Sequence, residues 1–94
     1  MTLHIVSTSP FASQTLAQCL DRMAKNDGLL LIQDGVYALT DQRLYRQLAG
    51  IEKLYVLNED LQARGLGDGK HSAQIIDYEA FVALTLAFER TLSW

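Results

Sequence analysis

Leu29-Leu30-Leu31-Ile32-Gln33-Asp34-Gly35-Val36 is the stretch that decides the fold. Four consecutive large apolar residues end abruptly in a polar residue, an acid and a glycine. A strand covered on both faces shows no alternation, so an unbroken run of this kind suits the middle of a parallel sheet. Gln33, Asp34 and Gly35 then stand where the strand leaves the sheet, the edge at which ligands and partners collect in open α/β folds. Two roles are open for the pair Asp34 and Gly35. The acid could orient a ligand or bond to a neighbour; alternatively it caps the next turn while Gly35 supplies a positive φ.

Outward from this strand the chain alternates. Leu3-His4-Ile5-Val6 reads as a first strand, and Ser9-Pro10 as the start of a helix running through about Ala24. Serine can cap free amides there, and proline costs nothing at the first helical position. Ala12, Leu16, Cys19, Leu20 and Met23 fall on one stripe of that helix. Asn26-Asp27-Gly28 ends it. Beyond Gly35, Thr40 or Asp41 caps a segment through Ala49, and Lys53 to Leu57 is a third strand. A short helix follows from Asp60 to Arg64, stopped by Gly65, with Asp60 and Arg64 spaced for an i,i+4 contact. Gly65 to Ser72 reads as a mobile loop because of its glycines. Gln74 to Asp77 is a short fourth strand, and Asp77 caps a last helix expected to reach about Thr91. Tyr78, Phe81, Val82, Leu84, Leu86 and Phe88 make this helix apolar over more than one stripe, so burial on two sides is expected, one of them against another chain. The sum is a single domain over residues 1–94: a small three-layer α/β/α sandwich with a roughly four-stranded parallel sheet.

Composition narrows the function. With 49% hydrophobic residues and one proline among 94, the chain is globular. Eight basic and eleven acidic residues give a net charge of -3, with no dense basic face, so direct binding to nucleic acid is not expected. Neither a secretory signal nor a membrane-spanning run of about 18 apolar residues is visible, and a cytoplasmic protein is expected.

Few residues carry candidate chemistry. Cys19, the one cysteine, excludes an internal disulfide and a cysteine-based metal cluster. It is the candidate persulfide-bearing nucleophile, but it stands well inside its helix on the apolar stripe, where a buried thiol acts as a small hydrophobe. Gly65 to Gly69 with Lys70 departs from a phosphate loop: it is one residue short, His71 replaces the hydroxyl residue, and a helix precedes it. His4 and His71 lack partners at metal-ligand spacing, and no G-x-S-x-G is present. No cofactor and no metal are called for. Taken alone, the residues admit a small ligand-binding module using the edge near Asp34 and Gly35, or a homo-oligomeric interaction module.

The chain resembles the TusB/DsrH family of sulfur-relay proteins. The resemblance is carried by Leu3-His4, Ser9-Pro10, the block Leu29 to Val36, the block Tyr55-Val56-Leu57-Asn58-Glu59-Asp60-Leu61-Gln62-Ala63-Arg64-Gly65-Leu66, then Ile76-Asp77-Tyr78, Phe81-Val82, Leu84-Thr85 and Trp94. It implies a DsrE/F/H-like fold and an accessory subunit of a cytoplasmic sulfurtransferase complex. TusC/DsrF-like and TusD/DsrE-like subunits would complete a heterohexamer that passes persulfide sulfur between upstream and downstream carriers. In one branch the product is 2-thiouridine at the tRNA wobble position; in the other, such complexes serve sulfur oxidation. The resemblance puts the sulfur-bearing cysteine on the TusD/DsrE-type subunit, although some members carry one in the first helix, where Cys19 lies. Asp34, Gly35, Tyr78, Phe81, Phe88 and Trp94 are the residues expected to serve structure or interface.

Overall fold

The computed structural model describes all residues except Asp68 and Lys70, so the phosphate-loop comparison at Lys70 lies outside the described residues. Five parallel strands form one sheet in the order β4-β3-β2-β1-β5. β1 is Thr2–Val6, β2 Gly28–Leu31, β3 Leu54–Leu57, β4 Gln74–Ile76 and β5 Arg90–Ser93. The helices are α1 (Thr15–Arg22), α2 (Tyr45–Ala49), α3 (Asn58–Ala63) and α4 (Tyr78–Ala87), with 3₁₀ turns over Gln33–Thr40 and Gln42–Leu44.

The leucine run does what its lack of alternation predicts. Every residue of β2 is buried, between β1 and β3. Leu29 and Leu31 point into one core with Leu16, Cys19, Val36, Leu48 and Leu61; Leu30 points into the other with Leu3, Ile5, Leu57, Ile76 and Phe88. The first core belongs to α1, α2, α3 and the 3₁₀ turn, which all cover one face. On the opposite face α4 covers the second core with Ala80, Phe81 and Leu84.

Two boundaries depart most from the sequence reading. Pro10 does not start α1. Residues 9–13 form a separate turn in which the Ser9 carbonyl accepts the amides of Ala12 and Ser13, both at 3.1 Å. The Ser13 hydroxyl then accepts the Thr15 amide at 3.3 Å where α1 begins. A serine competing for nearby amides divides the segment into two. Secondly, the last helix ends at Ala87, and Arg90–Ser93 forms a fifth strand beside β1 instead of a final turn. Within the single chain α4 is covered on one side, and the side expected against another chain is open: Tyr78, Val82 and Leu86 are 56%, 59% and 81% exposed.

Gly35 is required for a reason other than the expected positive φ. The left-handed residue is Gln33, at φ 48°, and Asp60 of α3 secures it by accepting the Gln33 amide at 2.6 Å. A side chain at Gly35 would collide with the backbone carbonyl of Val6 at the end of β1. The glycine therefore lets the turn after β2 lie directly against the neighbouring strand. Gly65 does adopt the left-handed conformation, at φ 69°, and closes α3 as its position predicts. Gly35→Ala should lower stability by about 1–3 kcal/mol, since backbone rather than a flexible side chain must give way; urea unfolding of the variant should show the lower midpoint, and an unchanged midpoint would contradict this packing.

Candidate functional site

Polar burial concentrates where the amino ends of β1 and β2 meet the end of β5. His4 points from β1 into the α1 side of the sheet and is 4% exposed. Its Nε2 lies 2.9 Å from Oδ2 of Asp27, the residue preceding β2. Its Nδ1 lies 3.0 Å from Nε1 of Trp94, the residue following β5. An indole nitrogen only donates, so Nδ1 of His4 must accept. Nε2 is then the atom that donates, and Asp27 accepts from it. Asp27 also accepts the amide of Thr2 at 3.0 Å and that of Ala24, just past α1, at 3.0 Å.

Burial pushes the Asp27 carboxyl up, but the hydrogen bonds from His4, Thr2 and Ala24 outweigh it and hold the group at about 2, below its usual 3.8. The sequence placed Asp27 in a helix stop and His4 inside an apolar strand without joining them. A signal was present: a histidine buried in a strand needs a partner, and Leu3 pairs with Gly28, which brings the residue before Gly28 alongside the start of β1.

Cys19 lies in the core on the α1 face, with no exposure to solvent. Burial, with the charge of Asp27 adding to it, pushes the thiol up to about 12. Persulfide chemistry and disulfide exchange run through the thiolate, and this environment keeps the proton on sulfur near neutral pH.

At the carboxyl edge the Asp34 carboxylate accepts Nε of Arg64 at 2.9 Å. Arg64 also donates from Nη1 to the Asp60 carbonyl at 3.2 Å and lies 3.7 Å from the Asp60 carboxylate, the expected i,i+4 contact. Asp34 thus ties the turn after β2 to the end of α3 rather than capping its own turn. Phe88 is buried, its ring against Gly28 where a side chain would meet it at 2.7 Å. Phe81 is half-buried beneath α4, whereas Tyr78 points outward. Trp94 is half-buried and fixed to β1 by its amide, which donates to the Ile5 carbonyl at 2.9 Å, as well as by its indole. The structure thus brings Trp94 to His4 and Asp27, joins Asp34 to Arg64, and leaves Tyr78 with Val82 and Leu86 on an open surface. No group of three or more acidic, histidine or cysteine side chains among the described residues is placed to hold a metal. No helix among them is long and apolar enough to cross a membrane.

A family model described as DsrH like protein matches residues 8–91. Proteins named TusB match over nearly the whole chain. The one from Pectobacterium parmentieri is 37% identical over 97 residues, covering 98% of this chain and 99% of its own. That from Escherichia coli (strain K12) is 41% identical over 96 residues, with the same coverage. That from Escherichia fergusonii is 43% identical over 97 residues, again with 98% and 99% covered. Among solved structures, the solution structure of protein Tm0979 from Thermotoga maritima superposes with a TM-score of 0.67 at 25% identity, covering 95% of each chain.

The Asp27 network fixes a sign for acid sensitivity. A carboxyl held below its unfolded value contributes stability that is fully present above about pH 4 and disappears as pH falls through about 2. The contribution does not exceed about 2 to 3 kcal/mol. Urea titrations from pH 5 to 2 should show the natural chain losing stability more steeply than Asp27→Asn. Parallel curves would mean that another group carries the acid dependence.

Proposed function

The chain belongs to the DsrH-like family, and on that premise we propose that it is an accessory, non-catalytic subunit of a cytoplasmic sulfur-relay complex. In this reading the complex supports persulfide transfer for 2-thiouridine synthesis at the tRNA wobble position. The observation that carries it is the outer side of α4. Tyr78, Val82 and Leu86 stand on a helix whose opposite side already fills the second core, and a subunit interface is the natural cover for such a surface. TusC/DsrF-like and TusD/DsrE-like subunits are the proposed cover.

Cys19 supports the same reading from the other direction. Its sulfur is enclosed between helix and sheet and holds its proton, so transfer on a partner subunit suits the arrangement better than transfer here. The net charge of -3 likewise suits a subunit that leaves contact with tRNA or sulfur carriers to its companions.

Co-expression with the two companion subunits should yield a complex that survives size-exclusion chromatography, and Leu86→Asp should release this chain from it while its isolated fold is retained. Loading that complex with sulfur from a cysteine desulfurase system should leave the mass of this chain unchanged and add sulfur to a companion. Added sulfur on this chain that is absent from Cys19→Ser would reverse the assignment and make Cys19 a carrier. Failure of the natural chain to co-purify would remove the subunit reading.

A further inference from the structure

β5 stands apart from the other strands: all four of its residues are exposed, and one of its edges is open. In a parallel pair the amide and carbonyl of a residue face the same neighbour, and the next residue faces away. The Trp94 amide donates to Ile5 of β1. Arg90 and Leu92 therefore also turn their backbone toward β1, whereas Thr91 and Ser93 present theirs to the open edge. Such an edge is a template for another strand unless brevity, charge, proline or a bulge blunts it; β5 reads Arg-Thr-Leu-Ser, with no proline and its one charge at the first position.

The side chains on one face of this strand add chemistry to the edge. Arg90 and Leu92 pair with Thr2 and His4 of β1, so they share the α1 face of the sheet with Trp94. Together with Arg22 at the end of α1 they line a groove of about 530 Å³. Leu92 is 47% exposed within it. The one acid of that lining, Asp27, is already matched by His4 and two backbone amides. Among the described residues no hydrogen bond or ion pair engages the side chains of Arg22 and Arg90. The groove is thus locally positive on a chain that is negative overall.

We propose that the open β5 edge and this groove receive an extended acidic segment of a companion subunit, which pairs with Thr91 and Ser93 and sets a carboxylate against Arg90 and Arg22. The inference rests on the subunit reading above and adds to it a surface on the opposite flank from α4's outer side. Charge argues against a second copy as the occupant. Antiparallel pairing of two β5 strands through their edge-facing residues would put Thr91 opposite Ser93 and Arg90 opposite Trp94, and β5 carries no acid of its own to meet the arginine. Strand addition supplies backbone hydrogen bonds, and the arginine pair supplies selection for an acidic partner.

Hydrogen exchange on the isolated chain and on the co-expressed complex tests the backbone part. Thr91 and Ser93 amides should exchange rapidly in isolation and slow by about a hundredfold in the complex. The double variant Arg22→Glu with Arg90→Glu, checked for an unchanged thermal melt when isolated, should weaken assembly about tenfold or more and increasingly so at low salt. Lys25→Glu, outside the groove lining, should leave assembly unchanged. If the natural chain assembles while Thr91 and Ser93 still exchange freely, or if the double variant assembles normally, the inference is overturned and the subunit reading stands. Protection of both amides in a concentration-dependent dimer of the isolated chain would assign the edge to a second copy and also overturn it. If the natural chain does not assemble with companions at all, both readings fall.

Discussion

The carboxylate of Asp27 is the contact on which the arrangement of the strands depends. It accepts from the start of β1, from the chain leaving α1 and from His4, and through the His4 ring it reaches the indole of Trp94 beyond β5. Three separate pieces of chain, β1, the end of α1 and the residue after β5, are thereby fixed around one buried acid. The geometry leaves little freedom in donor and acceptor roles. The Trp94 indole donates to one nitrogen of His4, the other nitrogen donates to Asp27, and every polar atom in the relay is satisfied. A buried network of this kind is costly when incomplete. Loss of one member therefore strains the rest, and the network selects one register for β5 on β1 where side-chain burial on β5 cannot do so.

That dependence explains why β5 was not legible in the sequence. Leu29 to Leu31 and Leu54 to Leu57 announce their strands because burial on both faces demands apolar residues at successive positions. Arg90 to Ser93 has no burial to record: its residues are held by a ladder to β1 and by Trp94, neither of which leaves a periodic mark. The helical pattern of Tyr78 to Phe88 accordingly predicts a helix to about Thr91, across this strand. Apart from Ser9-Pro10, chemistry that acts over a few residues is legible in the sequence. Asp77 accepts the Ala80 amide at 2.8 Å, Asp41 accepts the Arg43 amide at 3.0 Å, and Gly65 closes α3. Contacts between distant elements are not. The ion pair of Asp34 with Arg64 spans 30 positions, and the crowding of Gly35 against Val6 arises only once two strands are adjacent.

The same division applies to the candidate residues. Cys19 on an apolar stripe was enough to predict a buried thiol, since helical spacing fixes which face it takes. How far its proton is held depends on Asp27, whose proximity comes from the fold. His4 and Trp94 each looked isolated in sequence and meet only because β1 and β5, drawn from opposite ends of the described chain, are neighbours.

Strand order also bears on where an assembly can form. Three successive crossovers step from β1 to β4 and place α1, α2 and α3 over one face; α4 then returns across the other face to deliver β5 beside β1. A single ten-residue helix cannot screen both its own outer side and the strand it delivers. The fold therefore leaves two unfinished surfaces at different places, an apolar one on α4 and a hydrogen-bonding, positively charged one along β5. A chain that associated only with copies of itself through one two-fold axis would need one self-complementary patch. Two chemically unlike patches suit contact with two unlike neighbours, and that is the physical ground for reading this small domain as one member of a mixed assembly.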